Sequence, residues 1–166
     1  MVCAPIAAAL VLHRADLPPG FRTGTAIASR LAGGTAGCRV VYSRATTAAG
    51  LQDGPLQIQS AAVRYRSAAA ARTAFARTPA PRGTARLALD YRIGAQARQY
   101  VSENESGFGQ LLEYWLVWRE GAVEASLLVI GRVGVVSAAD LAPLARAQER
   151  RIAGRRRAST RAPRPP

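Results

Sequence analysis

The 166-residue chain predicts one α+β domain, an antiparallel or mixed sheet of about five strands with two or three helices packed on one face. Three observations carry that expectation. Apolar and polar residues alternate on either side of Glu120-Gly121, as in a β-hairpin. An alanine-rich run follows Ser67 and an amphipathic run follows Asp140, both of helical character. The strands do not alternate regularly with helices, which argues against a parallel βαβ sheet. The length suits a single core, and 49% hydrophobic residues exclude a wholly disordered chain or a collagen-like fibre.

Taken in order, residues 1–14 are an apolar N-terminal segment in which 4–13 suit a short helix. Its longest apolar run, 4–12, is less than half of the roughly 20 residues that a membrane helix needs. Residues 22–28 form a marginal strand. In 38–44, Cys38, Val40 and Tyr42 share one face, with Arg39, Val41 and Ser43 on the other. In 56–66 the apolar phase shifts between Ile58 and Val63, which predicts a bulge near Ser60 to Ala62. Ser67 caps a helix over 68–77 that has Phe75 as its one large anchor, and 97–103 form a further strand.

A turn at Glu120-Gly121 would pair Trp118 with Val123, Leu116 with Ala125 and Tyr114 with Leu127 on the core face. The last helix starts after Asp140, takes Pro143 in its first turn, buries Leu141, Leu144, Ala145, Gln148 and Ile152, and stops at Gly154. Residues 15–153 are thus the domain, and 154–166 an Arg/Pro-rich tail expected to be disordered.

The net charge is +13, and every one of the 23 basic residues is arginine. Arginine without lysine, beside abundant alanine, is what GC-rich codon usage produces. The charge is uneven. Residues 60–98 carry eight Arg against Asp90 (+7), 99–145 two Arg against six acids (−4), and 146–166 eight Arg against Glu149 (+7). The basic and acidic segments are natural internal partners, so the net charge does not by itself call for nucleic acid.

As written, the chain has no export signal: Met1-Val2-Cys3 lacks a charge and no A-x-A site follows the apolar run. A true start upstream would make the protein extracytoplasmic, and a start at Met1 cytoplasmic. Cys3 and Cys38 are too few for a disulfide framework and read first as buried small hydrophobes, one bridge in an oxidising space being the alternative.

Enzymatic readings find little to build on. His13 is the one histidine, and any Ser-His-Asp or Cys-His mechanism would rest on it. One His and two distant Cys offer no close metal-ligand pair, so no metal site, no cofactor and no catalytic residue is expected. Glu103 and Glu105 lie in ENESGFG, which reads as a polar loop. LAGGTAG over 31–37 lacks the Lys-Ser/Thr of a phosphate loop.

Binding readings have more support. The hairpin register puts Trp115 on the face away from the core, with Leu111, Val117 and Ile130 beside it. Such a strip is either covered by another element or exposed to a small ligand, a protein or a second copy of the chain, as a homodimer through the outer sheet face. The second candidate is an anionic partner, nucleic acid or an anionic surface, bound by Arg64 and Arg66 in the basic 60–98 segment and by Arg155, Arg156 and Arg157 in the tail.

LPPGF at 17–21, IGAQAR at 93–98, WREGAVEASLLVIG at 118–131 and ADLAPLARAQERRI at 139–152 give the chain a broader likeness. Over residues 15–153 it resembles a loose group of small exported or lipid-anchored, sensor-like domains of uncertain function from GC-rich bacteria. The resemblance implies an α+β fold with a curved antiparallel sheet, extracytoplasmic placement and no catalytic residues to carry over. The expectation is therefore a non-catalytic ligand- or protein-binding domain using the Trp115 face or the groove beside it, with anionic-partner binding as the alternative.

Overall fold

The structure is a computed structural model describing residues 3–24, 26–28, 34–47, 50–107 and 109–161, with 156–161 described by backbone alone. Three helices, α1 (Pro5–Ala8), α2 (Ala68–Arg77) and α3 (Leu141–Arg161), accompany eight strands. These are β1 (Phe21–Thr23), β2 (Ile27–Ala28), β3 (Ala36–Arg44), β4 (Gln57–Arg64), β5 (Ala85–Leu87), β6 (Gln96–Ser106), β7 (Gly109–Glu120) and β8 (Val123–Arg132). They make one antiparallel sheet in the order β1-β3-β4-β8-β7-β6-β5, with β2 also on β3. The fold class is α+β as expected, but with more strands. The marginal strand at 22–28 is two short ones, and β5 pairs Arg86 with Tyr100 where periodicity shows nothing. The polar loop expected at Glu103 and Glu105 is instead the end of β6, which pairs with β7 as far as Ser106 and Gly109.

The β7–β8 hairpin keeps the expected faces with a different register. Trp118 pairs with Ala125, Leu116 with Leu127 and Tyr114 with Val129, each partner two residues further along than the alternation suggested. A two-residue slip leaves every side chain on its own face, so periodicity is blind to it. The turn decides. Gly121 is the first loop residue with φ 57°, and Ala122 follows with a negative φ, as a Gly-first hairpin turn requires.

Helices cover both faces of the sheet, not one. α1 and α3 lie on the face of Cys38, Val40, Tyr42, Ile58, Leu116, Trp118 and Leu127, which form the main core with Leu10, Val11, Leu141, Leu144 and Ile152. α2 lies on the opposite, outer face, where Val63, Tyr65 and Ala71 make a second small cluster. This explains the phase shift in β4, which has an unbroken register with both β3 and β8 and therefore no bulge. Ile58 and Ala62 point into the main core, while Val63 and Tyr65 are buried on the other side under α2.

The N-terminal segment is α-helical only over Pro5–Ala8, then turns at Ala9 and Leu10 and buries Leu10, Val11 and Leu12 in the core before a 3-10 turn over Arg14–Asp16. Leu12 has no sheet partner, so side chains satisfy its backbone. Its N–H donates to Ser60 Oγ (2.9 Å), and its carbonyl accepts from Tyr42 Oη (2.6 Å). Ser60 Oγ donates in turn to Gln148 Oε1 (3.0 Å), and Gln148 Nε2 donates to Ala61 O (2.9 Å). Cys3 and Cys38 are joined in a disulfide with Cα atoms 5.3 Å apart, which corrects the reading of them as free buried thiols.

The helix ends are partly as expected. Ser67 Oγ accepts from Ala70 N (3.1 Å) at the start of α2, but Asp140, the expected N-cap of α3, instead ends a 3-10 turn over Ala138–Asp140 that leads into it, its carboxylate accepting from the Ser137 N–H (2.7 Å). Gly154 does not stop α3, whose backbone stays helical to Arg161, and 162–166 lie outside the described residues. Gly154 does not take a positive φ, so it makes no left-handed cap, and its cost of about 1 kcal/mol inside a helix is offset by the neighbouring Arg and Ala, which are strong helix formers.

Removing the disulfide by Cys3→Ser with Cys38→Ser frees a loop of sequence separation 35 in the unfolded chain. We expect a loss of about 2–4 kcal/mol of stability, read as a lower Tm and a lower denaturation midpoint, with a similar loss for the wild type under reductant.

Candidate functional site

The outer sheet face carries every residue of the apolar strip expected from sequence. Leu111, Trp115 and Val117 on β7 and Ile130 on β8 lie on this face, and all four are half-buried. Trp115 sits in a cross-strand row with Tyr100 and Leu128, both buried, and Val117 in the next row with Arg98 and Ser126. Cross-strand aromatic and aliphatic neighbours of this kind pack as a continuous shelf. The Trp115 indole N–H is shielded from solvent and has no acceptor among the described residues.

The strip is partly covered by another element, α2 and the chain that leaves it. Phe75 is buried against this face, and the guanidinium of Arg98 stacks on its ring at 4.6 Å from the centroid. Phe75, Pro79, Arg98, Tyr100 and Val117 line a narrow crevice. Beside it, a wider open groove of about 480 Å³ runs along α2 between Tyr65, Ala70, Thr73, Ala74, Arg77, Thr78 and Pro79.

A buried polar cluster lies beneath this cover. Glu124 is 5% exposed, and its carboxylate accepts from Thr78 Oγ1 (3.1 Å) and, at 3.5 Å, from Tyr65 Oη. Arg98 Nη1 donates to the Thr78 carbonyl (3.1 Å), so Thr78 links the two charged residues. Burial pushes the Glu124 carboxyl above its usual range. The hydrogen bonds from Thr78 and Tyr65 and the charge of Arg98 pull it back only in part. Burial and the neighbouring Glu124 push the Tyr65 hydroxyl up to about 12. Sequence alternation places Glu124 on the face opposite the main core, where a solvated acid is the natural expectation. Its burial follows from α2 crossing that face.

The alternative basic site is not assembled as expected. β4 ends at Arg64, which is half-buried, and Arg66 is exposed in the bend that follows, so the two do not share a strand face. Arg98 is committed to Phe75 and Thr78. Arg155 is exposed on α3, whereas Arg156 and Arg157 are helical in backbone with side chains outside the description. Among the described residues no helix is long and apolar enough to cross a membrane, and no group of three His, Cys, Asp or Glu could hold a metal ion. The glycines at 31–33 of LAGGTAG lie outside the described residues.

Fold and site together define an α+β domain with one antiparallel sheet, helices on both faces and a disulfide tying its N-terminal segment to β3. The chain is similar in fold to the crystal structure of the extracellular domain of PknH from Mycobacterium tuberculosis, with a TM-score of 0.62 over 95% of this chain and 98% of that one. Their sequences are 11% identical, so the likeness is one of fold. No protein-family model and no curated protein matches the chain.

Glu124 generates a pH dependence. Because its carboxyl titrates higher in the folded protein than the usual 4.5, the folded state holds the proton to a higher pH than the unfolded chain does. Its contribution is therefore most favourable below about pH 4.5 and declines as pH rises through the raised folded value. Asp16 has the opposite sign. Burial alone would raise it, but Arg151 and the His13 N–H outweigh burial, so its stabilisation is lost only as pH falls below 3.8. In denaturation series from pH 4.5 to neutral, Glu124→Gln is expected to lose less stability with rising pH than the wild type.

Proposed function

We propose that this chain is a non-catalytic ligand-binding domain that works outside the cytoplasm, and that its ligand lies on the Trp115 shelf and in the groove along α2. The observation that carries this reading is the shelf itself. Leu111, Trp115, Val117 and Ile130 leave apolar surface half-exposed on a sheet face, and Val117 also lines the crevice that adjoins, at Thr78 and Pro79, a groove of about 480 Å³.

The lining defines the ligand's chemistry. Ala70, Ala74 and Pro79 suit an apolar body, Thr73 offers a hydroxyl, and exposed Arg77 suits an anionic group at the rim. A small amphiphilic anion fits this set. Extracytoplasmic placement is supported by the Cys3–Cys38 disulfide, which persists in oxidising compartments, and by the fold likeness to an extracellular domain.

The test uses 1-anilinonaphthalene-8-sulfonate, an apolar anion whose fluorescence rises when it is buried. Saturable binding is expected to weaken by about tenfold or more in Trp115→Ala, and to weaken in Arg77→Ala as well. Sedimentation in parallel reports whether the shelf holds a second copy of the chain. If Trp115→Ala leaves both probe binding and oligomeric state unchanged, the site is not on this face.

A further inference from the structure

On the opposite side of the sheet, the end of the N-terminal segment meets α3 in a shallow groove of about 370 Å³, lined by Ala9, His13, Arg150, Arg151, Gly154 and Arg155. We infer that this groove binds a phosphate-bearing anion. Three guanidinium groups and an imidazole line it, and no carboxylate does.

The nearest acids are already engaged. Asp16 Oδ2 accepts from Arg151 Nε (2.8 Å) and from the His13 N–H (2.7 Å), and also lies 2.8 Å from Arg151 Nη2. That contact fixes Arg151 in place and uses the aspartate's charge. Glu149 Oε1 accepts from Gly94 N (2.7 Å), on the segment packed over Trp118. Arg150 and Arg155 are exposed, and neither is neutralised by a carboxylate among the described residues.

Gly154 supplies a second, independent observation. It does not take a positive φ, and a Cβ built on it would meet nothing within 4 Å. Neither backbone conformation nor close packing therefore calls for glycine here, although it weakens a helix interior. What its missing side chain does is leave the groove floor open, between Arg150 and Arg151 on one turn and Arg155 on the next. A phosphate there would take forked N–H donors from Arg150 and Arg155, with His13 at the rim, and the groove has room for the rest of a phosphate ester. The phosphate could be carried by a lipid headgroup or by a free anion, and the two are separable by experiment.

The full chain is titrated with inorganic pyrophosphate by calorimetry and mixed with phosphatidylcholine vesicles with and without phosphatidylglycerol, in a sedimentation assay. The groove variant is Arg150→Glu with Arg155→Glu. The control is Arg82→Glu with Arg86→Glu, which makes the same charge change at exposed positions outside the groove. Arg151 is left intact because it holds Asp16. Pyrophosphate affinity is expected to fall by about tenfold or more in the groove variant and by less than about twofold in the control. Phosphatidylglycerol-dependent sedimentation lost in the same pattern identifies a lipid headgroup, and pyrophosphate binding without it identifies a free anion. Absence of binding to both probes, or equal losses in the two variants, overturns the proposal, since equal losses would mean that net charge alone is responsible. Neither outcome bears on the Trp115 shelf, which lies on the other sheet face.

Discussion

The buried hydroxyl of Ser60 is the point on which the layers of this protein converge. It accepts from the backbone of Leu12 and donates to Gln148, whose amide reaches back to Ala61. N-terminal segment, central strand and last helix are thereby held by one polar chain inside an apolar core. A buried hydrogen-bond chain of this kind is costly if any member is missing, because each remaining partner would be left desolvated and unpaired. Tyr42 completes it by donating to the Leu12 carbonyl, so both backbone groups of a residue with no ladder partner are satisfied. The Cys3–Cys38 bridge secures the same segment further up, and Asp16 with Arg151 secures it below. Both candidate sites inherit their geometry from this fastening, the groove at His13 directly and the Trp115 shelf through the strands that it aligns.

A second constraint is that the sheet is covered on both sides by elements of different size. α3 and the N-terminal segment bury the larger face, while α2 buries only part of the other and leaves the Trp115 shelf half-open. Partial cover is what makes that face a site. A bare apolar face would associate indiscriminately, and a fully covered one would have no room for a ligand. It also accounts for Glu124, a carboxylate pressed beneath α2 and held by Thr78 and Tyr65 on the path between groove and sheet.

Much of this was readable in the chain. The faces of β3 and β7–β8, the cap at Ser67, the span of α2 and the buried stripe of α3 at Leu141, Leu144, Ala145, Gln148 and Ile152 all follow from local periodicity and capping. The apolar strip at Leu111, Trp115, Val117 and Ile130 was legible for the same reason, since alternation assigns a face to each residue of a hairpin. The groove along α2 was not: its walls all come from residues 65–79, but local periodicity does not say on which face of the sheet a helix lies. The bulge expected in β4 was a misreading with a physical cause: a strand buried on both faces imitates a phase shift.

By itself, then, the sequence determined the main strands and helices, which side of each is apolar, and that the positive charge is carried wholly by arginine and concentrated in residues 60–98 and 146–166. Those are properties of neighbours a few residues apart, set by backbone periods and side-chain chemistry. Only the tertiary structure decided the two-residue register of the hairpin, the side of the sheet on which α2 lies, the pairing of Cys3 with Cys38, and which arginines are engaged and which stand free. Each of these depends on chain segments distant in sequence meeting in space, and no local pattern carries that information.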